Sequence, residues 1–384
     1  MRTLVESILV AINWKPAPHS REAEVVAMSH LSAEFVTADL FPLVPVEEPE
    51  FLVGRQEELQ AVAEAHALWE KGRRVSVLIV GRAGSGKTSL VNVAARTVMD
   101  GLPVIRGEIR QRVTTEAGLR ALIAEWIGVE DPSQLERALT EKRRVIVLEQ
   151  VERAFLRKIG QCDAIRALQR LIAATSLSTF WVVPIGENSL RFLDTAVALG
   201  RSFSHRVNVS AASRDDLRRA IQLRHNVSGL SFEFRNPPAG QSRAGRIARR
   251  LRSGADAETQ FFDALWKESG GLFRTALAMW LRQIERIDAR TAYVRPMSSP
   301  SLPSFAQDLD LTNLFTLVAL LQHGSLTVHE HAEVFLQSVS ESQVQMDQLA
   351  AREIIEPVPQ DAGFRVRPEA FRLVYETLYR RNLL

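Results

Sequence analysis

The chain has 384 residues, 46% of them hydrophobic and 24% charged, with a formal net charge of +3. That is the composition of a soluble globular protein of two or three domains, and so small a net charge does not by itself imply a polyanion partner. A single cysteine, Cys162, excludes a disulfide framework or a cysteine-based zinc site within the chain. It fits a reducing, cytoplasmic setting, and no run approaches the roughly 20 apolar residues of a membrane helix.

Residues 1–50 read as a docking segment. A short amphipathic run from Leu4 to Ile12, interrupted by Glu6, precedes a proline-bearing stretch around Trp14, Pro16 and Pro18. From Phe51 the pattern sharpens, and a helix is predicted over about 56–69. Apolar runs at 75–80, 104–105, 145–148, 180–185 and 206–209 read as five strands. Helical periodicity fills the gaps, as in Ile165, Leu168, Leu171 and Ile172. Alternation of strands with helices predicts an α/β unit over 51–210, a parallel sheet with helices on both faces.

The first strand runs into Gly81-Arg82-Ala83-Gly84-Ser85-Gly86-Lys87-Thr88, a full G-x-x-x-x-G-K-[ST] followed by a helical pattern. Strand before and helix after are the context in which this spacing cradles phosphates. Glycines let backbone N–H groups wrap a β-phosphate, and the helix dipole favours the anion. Lys87 is placed for the β- and γ-phosphates and the Thr88 hydroxyl for Mg²⁺, so the ligand is a nucleoside triphosphate, ATP first among them. Gly81, Gly84, Ser85, Gly86 and Ser89 complete the cradle.

Such a site needs an acid on a neighbouring strand for the metal and a second to polarise water. The strand at 145–148 ends in Glu149-Gln150. Glu149 takes the metal position, but Gln150 stands where a base is expected, and an amide accepts no proton at neutral pH. A missing base costs about 10²–10⁴ in rate, so slow hydrolysis is predicted. Glu152, two residues on, reads either as a substitute reaching back or as a solvated helix residue.

After Ser210 the pattern reads as all-helical over 211–295, marked by Leu217, Ile221, Leu223, Phe261, Leu265, Leu277 and Leu281, with an arginine-rich insertion at 237–258. Residues 296–303, rich in Pro and Ser, form a linker. Over 305–384, helical runs at about 311–322, 327–337 and 341–351 precede short strands at 354–358 and 364–367. A last helix is expected from Pro368, a residue suited to a first turn. Helix-helix-helix-hairpin-helix is the pattern of a winged helix.

These segments together resemble an AAA+ ATPase, nearest in layout to origin-recognition initiators, transposon regulators and STAND signalling NTPases. The resemblance covers about residues 50–290, and the winged helix extends it. Phe51-Leu52-Val53-Gly54-Arg55 resembles the opening motif beside the adenine, which implies nucleotide contacts for Gly54 and Arg55. The phosphate loop and the strand ending in Glu149-Gln150 resemble Walker A and Walker B. Asn188, with Glu187 and Ser189 as competitors, resembles the polar sensor-1 residue. Arg201, with Arg206 as competitor, resembles an arginine finger acting on a neighbour. Gly270-Gly271-Leu272-Phe273-Arg274 resembles sensor 2, which implies that Arg274 reaches the γ-phosphate from a helical lid. A homo-oligomer is implied.

Charge is uneven along the chain. Residues 201–252 carry twelve arginines against Asp215, Asp216 and Glu233, whereas 311–384 carry six against nine acids. Candidate nucleic-acid contacts are Arg106, Arg110 and Arg112, or the loop bearing Arg243, Arg246, Arg249, Arg250 and Arg252. The third helix of the winged helix bears Glu341 and Asp347 and a single cation, Arg352, which suits a protein partner better than DNA. The resemblance implies a nucleotide-dependent oligomeric switch, in a DNA transaction such as transposition or replication. The alternatives are a signalling ATPase of bacterial defence and a scaffold that holds ATP without turnover.

Overall fold

The computed structural model describes residues 44–235, 257–288, 291–297, 309–358 and 362–384. Most of the N-terminal docking segment, the arginine-rich loop with Arg243 to Arg252, and most of the linker lie outside them.

Helix α1 (Gln56–Glu70) leads into β1 (Ser76–Gly81), α2 (Lys87–Thr97), β2 (Val104–Glu108), α3 (Glu116–Ile127), α4 (Leu135–Glu141), β3 (Arg144–Glu149), α5 (Asp163–Thr175), β4 (Thr179–Gly186), α6 (Glu187–Val197) and β5 (His205–Val209). The strands form one parallel sheet in the order β2-β3-β4-β1-β5. Alternate residues feed opposite cores, as strand pleating requires. Leu78 and Val80 of β1, Ile146 and Leu148 of β3, and Trp181 and Val183 of β4 join α3 and α5 on one face. Val77 and Ile79, Val145 and Val147, and Phe180 and Val182 join α1 and α2 on the other. Burial on both faces explains why these strands read as unbroken apolar runs. The expected α/β parallel sheet, helices on both faces, is the observed fold.

A second unit follows. It contains α7 (Arg214–Ser228), β6 (Ser231–Phe234), α8 (Ala257–Ser269), α9 (Phe273–Gln283), β7 (Ile284–Asp288) and β8 (Thr291–Val294). The all-helical expectation is corrected here, because the three strands pair in the order β6-β8-β7. Ser231-Phe232-Glu233-Phe234 and its partners are too short for a period-2 signal to stand out. Phe232, Phe234, Phe261, Phe262 and Trp280 close their own core around α7, α8 and α9.

The C-terminal unit runs α10 (Leu311–His323), β9 (Leu326–Thr327), α11 (Val328–Phe335), α12 (Val339–Ala351), β10 (Ile355–Pro357), β11 (Gly363–Val366) and α13 (Phe371–Arg380), with strands in the order β10-β11-β9. Thr327 and Ser338 each close a capping box with Glu330 and Glu341, which fixes the starts of α11 and α12. The last helix starts at Phe371, not at Pro368, because Pro368 to Ala370 form a turn.

This unit docks on both others. Leu156 of the α/β unit enters its core. Phe155 stacks on His323 with ring centroids 4.8 Å apart. Arg372 pairs with Glu268 of α8 at 2.5 Å, and Arg282 of α9 pairs with Glu369 at 2.9 Å. No helix among the described residues is long and apolar enough to cross a membrane.

Candidate functional site

Strand β1 ends at Gly81, and the loop up to Gly86 delivers the chain into α2. Gly84 and Gly86 have φ of +79° and +98°, values that side-chain-bearing residues rarely adopt. Gly86 is the N-cap of α2 and no side chain caps the helix. Its first N–H groups are therefore left for a ligand. The Lys87 side chain is half-buried, and its ammonium donates to the carbonyls of Gly81 (2.9 Å) and Arg82 (3.1 Å). Two of its three N–H bonds hold it across the loop, leaving one for an anion. Burial pushes its pKa below the usual lysine value, and the carboxylate of Glu152 opposes that shift. The Ser85 hydroxyl oxygen is buried without a hydrogen-bond partner.

Above the loop lies a cavity of about 1100 Å³, ample for a nucleotide by comparison with ordinary ligand pockets of about 300–1000 Å³. Its walls come from all three units. The α/β unit supplies Gly84, Gly86, Lys87, Thr88, Ser89, Glu149 and Gln150; the second unit supplies Phe273, Arg274 and Leu277. The C-terminal unit supplies Arg365. Arg274 is seated on the phosphate loop itself, its backbone N–H donating to Gly84 O at 3.2 Å. Gly270 and Gly271, at φ +61° and +72°, make that approach possible. A Cβ on Gly271 would stand 2.7 Å from Ala212 O.

The residues present fit a nucleoside triphosphate with Mg²⁺. Uncapped amides, an ammonium anchored by backbone and an unpartnered buried hydroxyl suit a phosphate chain. Thr88 and Glu149 border the same cavity, and no group of three or more His, Cys, Asp or Glu side chains that could hold a metal occurs among the described residues. That donor set suits Mg²⁺, which takes one or two protein oxygens and completes its shell with phosphate and water.

The other candidates are placed as follows. Glu149 borders the cavity and forms an ion pair with Arg106. Gln150 is exposed on the cavity wall in the left-handed conformation, φ +61°. The chain turns there, and Glu152 follows two residues on. Glu152 is not a solvated helix residue: its Oε1 accepts from Gly186 N at 2.6 Å, and it acts electrostatically on Lys87. Arg55 borders the cavity, but its guanidinium donates to the carbonyls of Gly54, Ser85 and Ser210 and to Glu58. It ties the loop to the end of β5. Gly54 is not part of the wall; at φ +65° it passes the Asp216 carboxylate, 2.5 Å from where a Cβ would stand. The Ser89 hydroxyl accepts from Val46 N at 3.0 Å.

Asn188 is buried in the first turn of α6 with its Oδ1 unpartnered, but it is not in the cavity wall. Arg82 pairs with Glu187 beside it at 3.2 Å. Arg201 is exposed in the short turn before β5. In a parallel sheet that is the end opposite the phosphate loop, about 16 Å away along five residues of β5. Arg206 is exposed within β5, bonded to Asn208.

One candidate is corrected. Arg112 does not face nucleic acid. It is 11% exposed and donates to the carbonyls of Glu152, Phe155 and Ser325 and to both oxygens of Glu330. It cross-links the α/β and C-terminal units, alongside Lys158–Glu333 and Arg157–Gln322. Arg110, 84% exposed beside Glu108, is open to a partner. Wall elements that escaped the sequence reading include Val44 to Val46 beside α2, Leu122, Glu125 and Trp126 of α3, Arg224 of α7, and Arg365. Only the charge of the two arginines signalled them, and charge alone does not place a side chain.

A family model described as AAA ATPase domain matches residues 52–326. No curated protein matches. Among solved structures, the chain is similar to the ORC2 protein of Aeropyrum pernix (14% identity, 89% of this chain and 97% of that chain, TM-score 0.44). It is also similar to Cdc6p of Pyrobaculum aerophilum (13%, 90% and 98%, TM-score 0.48). A RuvB variant of Thermotoga maritima matches at 13% identity over 87% of this chain and 98% of that one, TM-score 0.43.

Proposed function

The chain belongs to the AAA ATPase domain family, and we propose that it works as an ATP- and Mg²⁺-dependent oligomeric switch with slow hydrolysis. The observation that carries this reading is the cavity itself, where Lys87, Thr88 and Glu149 meet Arg274 from a second unit and Arg365 from a third. A ligand held there touches every unit, so its presence sets how they sit together. Lys87 and Thr88 hold the phosphates and metal with Glu149; Arg274 acts within its own chain. Slow turnover follows from Gln150 on the wall and from Glu152, whose carboxylate is held by Gly186 N.

Arg201, at the far end of the sheet, cannot reach its own nucleotide and acts on a neighbour's. The test is the oligomeric state with ATP, with ADP and without nucleotide. Arg201→Ala subunits are expected to bind ATP yet neither assemble nor hydrolyse it. Mixed with Lys87→Ala subunits they regain activity. A monomer at saturating ATP with no recovery at any ratio refutes the shared site.

The switch acts on DNA, as in transposition or replication. Exposed Arg110 and the basic sequence from Arg243 to Arg252 support this, and ATP-dependent DNA binding that weakens steeply with salt tests it. A second reading, a signalling ATPase that binds a protein, is favoured by α12. That helix shows exposed Val339 (44%) and Val344 (56%) beside Glu341 and Asp347. ATP-dependent protein association without DNA affinity selects it.

A further inference from the structure

The hairpin β10–β11 brings one charged side chain into the nucleotide cavity, Arg365. Its cross-strand partner is Glu356, directly opposite in the register. The guanidinium donates through Nε (2.8 Å) and Nη2 (2.7 Å) to the same oxygen, Glu356 Oε1. A fork that converges on one carboxylate oxygen leaves Nη1 outside the pair. Arg274 lies close by. Its pKa is pushed below the usual arginine value by burial and then by the positive charge of Arg365, with Glu356 opposing. Lys87, Arg274 and Arg365 border one cavity, and with the Glu356 carboxylate paired to Arg365 they form a site with surplus positive charge. Arginine pairs of this kind are suited to bridging phosphate oxygens.

A separate contact ties the C-terminal unit to the loop. Arg82, within the phosphate loop, lies 3.9 Å from the ring centroid of Tyr375 on α13. The C-terminal unit therefore touches the phosphate loop through Tyr375 and borders the cavity through Arg365.

We propose that Arg365 is a nucleotide-contacting residue: it binds the polyphosphate of the triphosphate together with Arg274, in competition with Glu356, and so makes the placement of the C-terminal unit depend on nucleotide. This rests on the reading that the cavity binds ATP. The Arg365–Glu356 pair is the resting arrangement, and a phosphate oxygen takes over the guanidinium when ATP enters.

Two substitutions separate this from a merely structural hairpin pair. Arg365→Ala removes the contact, and Glu356→Gln frees the guanidinium for phosphate. Calorimetric titration of the full chain with ATP is expected to show about tenfold weaker binding for Arg365→Ala and severalfold tighter binding for Glu356→Gln. If the pair only braces the hairpin, both substitutions break the same bond, and their effects share a sign or stay under twofold. Either result overturns the proposal. Should Arg365→Ala lose its fold by circular dichroism, Arg365→Gln carries the same expectation. Lys87→Ala serves as the control. A wild type that binds ATP no better than Lys87→Ala overturns the nucleotide reading and this proposal with it. A wild type that outbinds Lys87→Ala while the Arg365 and Glu356 variants match it overturns this proposal alone.

Discussion

Acidification to pH 5 is expected to weaken the docking of the C-terminal unit through His323. This imidazole is buried at the contact with the α/β unit, stacked on Phe155. Nδ1 donates to Ala319 O at 2.8 Å, which leaves Nε2 to accept the Arg157 N–H at 3.0 Å. Protonation would aim a second N–H at that donor. Burial, and after it the charge of Arg112, push the pKa down to about 3, with Arg157 adding to the shift and the bond to Ala319 resisting it. The folded pKa lies below the unfolded value of 6.5, so the neutral histidine contributes its full stability above pH 6.5. That contribution is lost as pH falls toward 3. At pH 5 the unfolded chain is favoured by about 1.5 pH units of linkage, or about 2 kcal/mol.

The assay is urea unfolding of the wild type and of His323→Phe at pH 7.5, 6 and 5. Phenylalanine keeps a ring against Phe155 but strands the Arg157 N–H, which costs about 1–3 kcal/mol at pH 7.5. His225 and His331, lowered by burial to about 3 and about 4, titrate in the same window in both proteins. The difference between the two curves therefore isolates His323. The gap is expected to shrink by about 2 kcal/mol between pH 7.5 and pH 5. A gap constant over that range refutes the argument.

Arg112→Ala removes a cross-link of the interface and leaves the largely buried Glu330 without its cation, so a loss of about 2–4 kcal/mol is expected, toward the lower end of a fully buried broken pair. Limited proteolysis should then release the C-terminal unit first, and a change under about 0.5 kcal/mol, the level of an ordinary surface substitution, speaks against the cross-link. Lys87→Ala is expected to weaken ATP binding at least tenfold with the melting temperature little changed; unchanged affinity removes the phosphate-loop reading. Gln150→Glu places a carboxylate on the cavity wall and is expected to raise the turnover rate about tenfold or more, given what a general base supplies. A wild-type rate already fast, and indifferent to Glu152→Gln, shows that another group positions the water.

Local signals were enough for the sequence to determine the sheet and the phosphate loop. Strands buried on both faces must be apolar throughout, so 145–148 stands out against its charged flanks and 180–185 against the polar residues before it. The loop needs glycine at the positive-φ positions 84 and 86, and this requirement is written directly in residue type. The capping boxes at Thr327 and Ser338 belong to the same class, since each is closed within four residues. The strands of the second unit were not legible, because segments of four or five residues, half exposed on a small sheet, carry too little periodicity.

What only the tertiary structure decided is which charges meet. Arg112 and Glu330 lie more than two hundred residues apart in the chain, yet they form one buried pair. Arg365 reaches a cavity whose loop begins at Gly81. Glu152, just after the left-handed turn at Gln150, comes within electrostatic reach of Lys87. An arginine on the surface and one across an interface have the same identity in sequence; the cost of burying a charge is settled by the partner that the fold supplies.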